Sequence, residues 1–354
     1  MEEKLPEHHR RPHYAGKYPR RFEEKYKEQQ PEKYRATVAH VIAKGNTPAG
    51  MHIPIMVSEI LDVLRIQPGE IGYDATLGYG GHTEKMLAAL HGKGHLYSGD
   101  VDPIEAAKTV RRLRALGYGE DLWSFRAMNF ADIDQLAADV GPFDFVLADL
   151  GVSSMQIDNP ARGFSYKTDG PLDLRLNPEA GVSAAERLAD MSREEIEGML
   201  IENADEPYAS EIARQIASDM RHGRPITTTS ALHEEVERAL GKVKFPKGTT
   251  PAAQKDAVKK SSARVFQALR IDVNHEYEAL YAFMEKLPAA LAPGGRVAIL
   301  TFHSGEDRIV KKALQAFYRA GVYSDIAKDV IRPSREECYQ NPRAHSTKLR
   351  WGRK

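Results

Sequence analysis

The chain has 354 residues, enough for one large α/β domain or for a core domain carrying a second of roughly 100 residues. Hydrophobic residues make up 42% and fifty basic side chains balance fifty acidic ones, so a sizeable core is available and the overall charge advertises no polyanionic partner. No run of 18 apolar residues occurs and Cys338 is the single cysteine, which excludes a membrane-spanning helix, a disulfide framework and a cysteine zinc site, and points to a reducing, cytoplasmic setting.

Residues 1–50 hold eleven Lys or Arg against seven Glu. They lack the apolar stretch of a signal peptide, and Glu2, Glu3 and Glu7 argue against a transit peptide. The segment reads as a polar, partly disordered arm with a short helix near Tyr34–Lys44, serving as a solubilising tail or as an arm that contacts RNA. From Met51 the texture changes. Strands are predicted at Ile71–Leu77, His95–Val101, Trp123–Phe130 and Phe143–Leu150, with helices at Thr83–Leu90, Pro103–Leu116 and Ile133–Val140 between them. Such alternation predicts a parallel, doubly wound sheet.

The alternation stops between Asp158 and Ala263. Ser183-Ala-Ala-Glu186 and Ser192-Arg-Glu-Glu195 both fit the capping box that opens a helix. Ile212, Ala213, Ile216, Ala217 and Met220 form one apolar stripe, and Leu232, Val236 and Leu240 another. Residues 158–263 therefore read as a helical domain inserted into a sheet domain built from 51–157 and 264–354. The α/β pattern resumes with Tyr277, Leu280, Met284, Leu287 and Leu291 on one helix face. A sharp turn at Pro293-Gly294-Gly295 and a buried strand at Arg296–Phe302 follow, and the tail from Val330 to Trp351 is expected to supply the last, antiparallel strands. Local charge departs from the neutral total. Residues 185–240 carry six bases against thirteen acids, 242–275 eight against two, and 296–354 thirteen against six. The two basic segments suit a phosphate backbone or simply form solvated helix faces.

The chemistry gathers at predicted strand ends. Asp74-Ala-Thr-Leu-Gly78-Tyr-Gly80-Gly81-His82 is a strand-to-helix turn whose glycines allow close approach of a ligand to the backbone. The G-x-G-x-x-G spacing of a dinucleotide loop fails at Thr83, against a nicotinamide enzyme. Asp100 ends the second strand, where an open α/β site places a carboxylate for ribose hydroxyls. Asp102, before Pro103, reads as a solvent-facing or helix-capping acid. Phe130 closes the third strand, in position to flank an adenine. Together the three strand ends predict an adenosine-type cofactor site. Asp149 ends the fourth strand, in the crevice where such sheets do their chemistry.

Seven motifs in this order resemble one family. They are Gly78-x-Gly80-Gly81-His82-Thr83, Asp100-x-Asp102-Pro103, Asp149-Leu-Gly-Val-Ser153-Ser154-x-Gln156, Arg162-Gly-Phe-Ser165, Asp169-Gly-Pro-Leu-Asp-Leu-Arg175, Phe266-Gln-Ala-Leu-Arg270 and Phe302-His303-Ser304-x-Glu306-Asp307-Arg308. The chain resembles the RsmH/MraW ribosomal RNA methyltransferases, as a divergent branch or a paralogue with an N-terminal extension, since its arm is longer than usual there. The resemblance implies a class I S-adenosylmethionine-dependent methyltransferase fold, a Rossmann-like doubly wound sheet with an inserted helical domain. It implies N4-methylation of a cytidine at the decoding centre of 16S rRNA, with 16S rRNA or the small ribosomal subunit as partner and a homodimer as the assembly to test for. It carries the cofactor role to Gly80, Gly81, His82, Asp100, Phe130, Asp149 and Gln156. The base would sit among Asp149, Ser153, Ser154 and His303, with Asp149 accepting a hydrogen bond from the amine and His303 and Arg308 holding the base or its phosphate. No metal is expected, because nothing near His303 has ligand spacing. The family motif has Leu where this chain has Gly305, which predicts a freer loop. The same fold acting on DNA or a protein amine, or an rRNA-binding assembly factor without catalysis, are the rival readings.

Overall fold

The computed structural model describes residues 54–354, so the expected arm and its helix near Tyr34–Lys44 lie outside the described residues. The described chain starts with a short helix, α1 (Val57–Leu64), and then builds a seven-stranded sheet. The strands are β1 (Ile71–Asp74), β2 (His95–Asp100), β3 (Trp123–Ala127), β4 (Phe143–Asp149), β5 (Leu291–Thr301), β6 (Asp325–Ile326) and β7 (Lys348–Arg353), in the order 3-2-1-4-5-7-6. β1 to β5 are parallel, and β7 runs antiparallel to both its neighbours. This is the class I methyltransferase sheet, as expected. The chain leaves β1 towards β2 on one side and returns to β4 on the other, so the carboxyl ends of β1 and β4 border the switch-point crevice.

Helices α2 (Gly81–Ala89), α3 (Pro103–Ala115) and α4 (Ile133–Val140) connect the first four strands. The strands end earlier than the apolar runs suggested: β1 stops at Asp74, and β3 stops at Ala127, three residues short of Phe130. Phe130 instead opens a 3-10 turn capped by Asn129. The glycine turn at Pro293–Gly295 is absorbed into β5 as an irregularity. Leu291 pairs with Phe143 and Arg296 with Phe145, and the residues between bulge away, with Gly294 at φ +78°. The antiparallel strand β7 begins in the expected tail and runs two residues past Trp351, whereas β6 lies before the tail and runs with the parallel strands.

After β4 come a short helix, α5 (Ser154–Asp158), and an all-helical stretch. It comprises α6 (Ala184–Asp190), α7 (Arg193–Ala204), α8 (Ala209–Arg221), α9 (Thr229–Gly241) and α10 (Pro251–Asn274), after which α11 (Glu276–Ala290) leads into β5. Both predicted capping boxes form, at Ser183 with Glu186 and at Ser192 with Glu195. The only pairing of strand type described in 158–263 is an isolated bridge between Pro171 and Thr228. These helices bury their own cluster, with Leu188, Ile196, Leu200, Ile212, Ile216, Leu232, Val236, Val265 and Leu269 inside. The sheet has a separate core on each face, one around Tyr73, Phe143, Phe283 and Ile299 and the other around Leu64, Leu96, Trp123 and Phe145. After β5 follow α12 (Ser304–Arg319) and α13 (Arg335–Gln340).

One buried node ties the helical stretch to the sheet. The Asp102 carboxylate accepts from the backbone N–H groups of Ile104 and Glu105 through Oδ1, capping α3. Its Oδ2 accepts from Gln156 Nε2 at 2.7 Å and Arg162 Nη1 at 2.8 Å. Arg162 in turn donates to the carbonyls of Arg175 and Leu176. Asp102 is 1% exposed, so the capping half of its expected role holds and the solvent-facing half does not. Removing one partner of such a pair strands a buried charge. Arg162→Met should therefore lower the unfolding free energy by about 3–5 kcal/mol in urea denaturation, and adding Asp102→Asn should restore more than half of the loss.

Candidate functional site

The glycine loop after β1 is held from beneath. Asp74 is buried and accepts from Thr83 Oγ1 at 2.6 Å and from the Thr76 N–H, and burial pushes its carboxyl up to about 7. Gly78 donates to Asp100 Oδ2 at 2.7 Å while Thr109 Oγ1 donates back to the Gly78 carbonyl at 2.6 Å. Arg112 bonds the Tyr79 carbonyl and lies over its ring at 4.5 Å. Gly80 is the N-cap of α2 at φ +74°, and a Cβ there would lie 2.7 Å from Thr109 Cγ2. Both the backbone conformation and the close approach of α3 thus require glycine.

Asp100 faces this loop from the end of β2. Its Oδ1 accepts from the Asp102 N–H at 2.9 Å, and burial raises its carboxyl to about 6 against the pull of these backbone donors. Beside it opens a cleft of about 750 Å³ lined by Asp100, Val101, Pro103, Met128, Asn129 and, from the chain after Arg175, Asn177 and Glu179. Phe130 does not line this cleft; it packs edge-on against Phe283, with ring centres 5.4 Å apart.

Asp149 stands at the end of β4, its N–H bonded to Thr76 Oγ1 at 2.7 Å. Oδ2 lies 3.4 Å from His82 Nδ1, and His82 Nε2 contacts the Ile55 carbonyl at 2.9 Å. That carbonyl can only accept, so Nε2 carries a proton. Burial works against a charged imidazole, yet Asp149, helped by the Ile55 carbonyl and Asp74, outweighs it and holds the His82 pKa above the ordinary histidine value. Asp149 Oδ1 is buried and has no hydrogen-bond partner among the described residues.

The remaining predicted residues are more committed to structure. Ser153 caps α5 by accepting from the Gln156 N–H, and Gln156 Oε1 accepts from the Ser153 N–H at 2.7 Å. With Nε2 given to Asp102, Gln156 has both ends of its amide engaged. Ser154 is the first residue of that same short helix. His303 lies on the neighbouring loop, since Asp149 pairs with Leu300 and His303 follows three residues on. It is the N-cap of α12, with Nδ1 towards the Glu306 N–H at 3.5 Å and Nε2 3.1 Å from Glu306 Oε1, off the hydrogen-bond line. Glu306 is fully buried, which alone would raise its carboxyl. His303, Arg270 and the Phe302 N–H outweigh that and hold it below the usual carboxylate range. Arg308 pairs with Asp205 at 3.2 Å on the surface. Sequence reasoning gave no role to Arg162, Asn177, Glu179 or Tyr277. Arg162 stood in a quoted motif and Tyr277 on a predicted apolar helix face, whereas Asn177 and Glu179 had no local signal.

A model of the MraW methylase family matches residues 49–354. The chain belongs to that family. It is 63% identical over 345 residues to ribosomal RNA small subunit methyltransferase H 1 of Agathobacter rectalis, covering 98% of this chain and 97% of that protein. It is 59% identical over 350 residues to the protein of that name from Lachnoclostridium phytofermentans, covering 99% and 94%. Against ribosomal RNA small subunit methyltransferase H of Thioalkalivibrio sulfidiphilus the identity is 38%, over 86% of this chain and 97% of the other. The MraW model leaves out the first 48 residues, yet coverage of 98–99% must include most of them, so the extension is shared with the more similar relatives.

Gly305 does not free the loop as expected. A Cβ there would lie 1.8 Å from Tyr277 Oη, because the phenol occupies the space beside the start of α12 and donates to the Asn203 carbonyl at 3.1 Å. Gly305→Leu should cost about 1–3 kcal/mol through overpacking, and the cost in urea denaturation should shrink when Tyr277→Ala is present, because the two positions share one space.

Proposed function

We propose that this chain transfers a methyl group from S-adenosylmethionine to N4 of a cytidine in 16S rRNA at the decoding centre. The observation that carries the reading is the unpartnered Asp149 Oδ1 at the switch-point crevice, with Oδ2 held by His82. The cradle fits the cofactor. Gly80 and Gly81 bring backbone close, Asp100 offers carboxylate lone pairs beyond the two it gives to Gly78 and Asp102, and the cleft beside Val101 and Met128 is large enough for a purine. When bound, S-adenosylmethionine supplies an electrophilic methyl group on a sulfonium. The names of the relatives, which specify small-subunit ribosomal RNA, support the substrate class.

The N4 lone pair of cytosine is delocalised into the ring, so the amine is a weak nucleophile. Asp149 Oδ1 accepts a hydrogen bond from the amine, returning electron density to nitrogen, and is there to take the proton once nitrogen is charged, while His82 prevents the carboxylate from turning away. No strong base is required before transfer, because the amine proton becomes acidic only once nitrogen carries positive charge. Most of the acceleration then comes from holding amine and methyl donor in line. The cytidine must be unstacked to reach the crevice. Ser153, Ser154 and His303 act by fixing the two loops that border it, and residues 158–263 serve as a substrate-binding domain over the crevice.

Labelled S-adenosylmethionine and unmodified small ribosomal subunits, followed by nucleoside mass spectrometry, test the reading. The expected product is N4-methylcytidine at the decoding centre; label in another nucleoside or none would overturn it. Asp149→Asn should lower kcat by about 10²-fold or more, in line with loss of one positioned polar group. Cofactor affinity should depend on pH. Ribose hydroxyls donate to ionised Asp100, whose carboxyl titrates at about 6, so protonation competes with binding. The dissociation constant, measured by calorimetry, should be flat above pH 7 and rise up to about tenfold per unit below pH 6, and in Asp100→Asn it should be weak and flat.

A further inference from the structure

Many bases of the two positive segments are committed to ion pairs within the fold. Arg264 faces Glu206, Arg270 makes a two-pronged, half-buried pair with Glu276, Arg296 pairs with Glu70, Arg343 with Asp158, and Lys348 and Arg350 with Asp307. These charges are internal braces. Others are exposed and, among the described residues, make no ion pair: Lys311, Lys312, Lys328 and Arg335 in the second segment, and in the first Lys244, Lys247, Lys255 and Lys259, which gather around the start of α10. Lys255 and Lys259 are four apart on one face of α10, a like-charge spacing that weakens a helix by a few tenths of a kcal/mol. The nearest acid on the helix, Asp256, is taken by Lys260 at 2.7 Å. None of the first ten residues of α10 is buried, so this 24-residue helix carries its first turns outward. The loop before it is anchored by Phe245, which packs on the helical core and meets Tyr208 edge-on at 6.0 Å, so Lys244 and Lys247 flank a fixed point.

The other end of α10 lies at the site. Asn274 Oδ1 accepts from the Leu176 N–H, and its Nδ2 donates to the Leu174 carbonyl. These are the strands of chain that Arg162 ties to Asp102 and that continue to Asn177 and Glu179 in the cleft. From Asn274 back to Lys259 and Lys255 the helix climbs 15 and 19 residues, roughly 22 and 29 Å at about 1.5 Å per residue. At a stacked spacing of about 3.4 Å per nucleotide, as in duplex DNA, those spans correspond to roughly six to nine nucleotides.

We propose that Lys244, Lys247, Lys255 and Lys259 form a phosphate-docking arm that grips rRNA well away from the methylated base, so that the protein selects a large folded RNA over a short strand. This rests on the RNA reading above, and binding rather than methylation is therefore the readout. The full chain, the variant K244E/K247E/K255E/K259E and its glutamine counterpart are compared for affinity to small ribosomal subunits across a salt series and to a hexanucleotide carrying the target cytidine. The glutamate variant should bind subunits at least about tenfold more weakly, with a salt slope shallower by about 3 for four lost phosphate contacts. The glutamine variant should fall between, while S-adenosylmethionine affinity, thermal midpoint and hexanucleotide affinity stay at wild type. Subunit affinity and salt slope unchanged in both variants would overturn the arm, and a parallel loss of hexanucleotide affinity would overturn its distal placement. If the wild-type chain fails to bind subunits, arm and RNA reading fall together. If it binds them in the arm-dependent way but forms no N4-methylcytidine, only the assigned reaction falls.

Discussion

The buried Asp102 carboxylate is the constraint on which the site depends. Four donors converge on it, two from the first turn of α3, one from Gln156 and one from Arg162. Each comes from a segment that the crevice needs. The turn fixes Asp100 two residues upstream, Gln156 fixes the loop after Asp149, and Arg162 fixes the chain that brings Asn177 and Glu179 to the cleft. A charge so deeply withdrawn from water is costly unless its geometry is complete, so the interaction tolerates one arrangement and imposes it on three loops at once.

A second level of order rests on that frame. Asp149 is the member of the carboxylate set at the strand ends that keeps an open oxygen. Asp74 and Asp100 give theirs to the glycine loop, and Asp102 gives its own to the node. Four acids of the same type, each at or just past a strand end, therefore fill three different roles. The differences arise from which donors surround each one. The acidic pockets around the glycine loop also explain why it needs α3 beneath it: Thr109 and Arg112 hold the two carbonyls of the turn while Asp100 holds an N–H.

Much of this was legible in the sequence because its signals are local. Apolar runs bounded by glycine gave the five parallel strands, Ser-x-x-Glu gave the starts of α6 and α7, and Pro103 after Asp102 gave the start of α3. The strand ends were read too far, because an apolar side chain past the last pleat looks no different in sequence from one within it; Phe130, in its 3-10 turn, is the example. What stayed hidden depends on contacts between distant residues. Gln156 and Arg162 meet Asp102 across 54 and 60 residues, and Tyr277 fills the space of Gly305 from a different helix. A glycine in place of a leucine reads as looseness until the partner that occupies its volume is seen.

The position of β7 has a consequence for how the chain is made. It lies between β5 and β6 in the sheet, yet follows both in sequence, and its six residues supply the antiparallel partner for the whole second half of β5. Nearby, Glu337 reaches back to the Met56 N–H across 281 residues. During vectorial synthesis every earlier strand emerges while the edge of β5 is still bare. Until Lys348–Arg353 arrives, that edge is open to pairing with another chain. A sheet built this way is closed by its last strand in sequence, and until β7 is in place the bare half of β5 is its most exposed pairing edge.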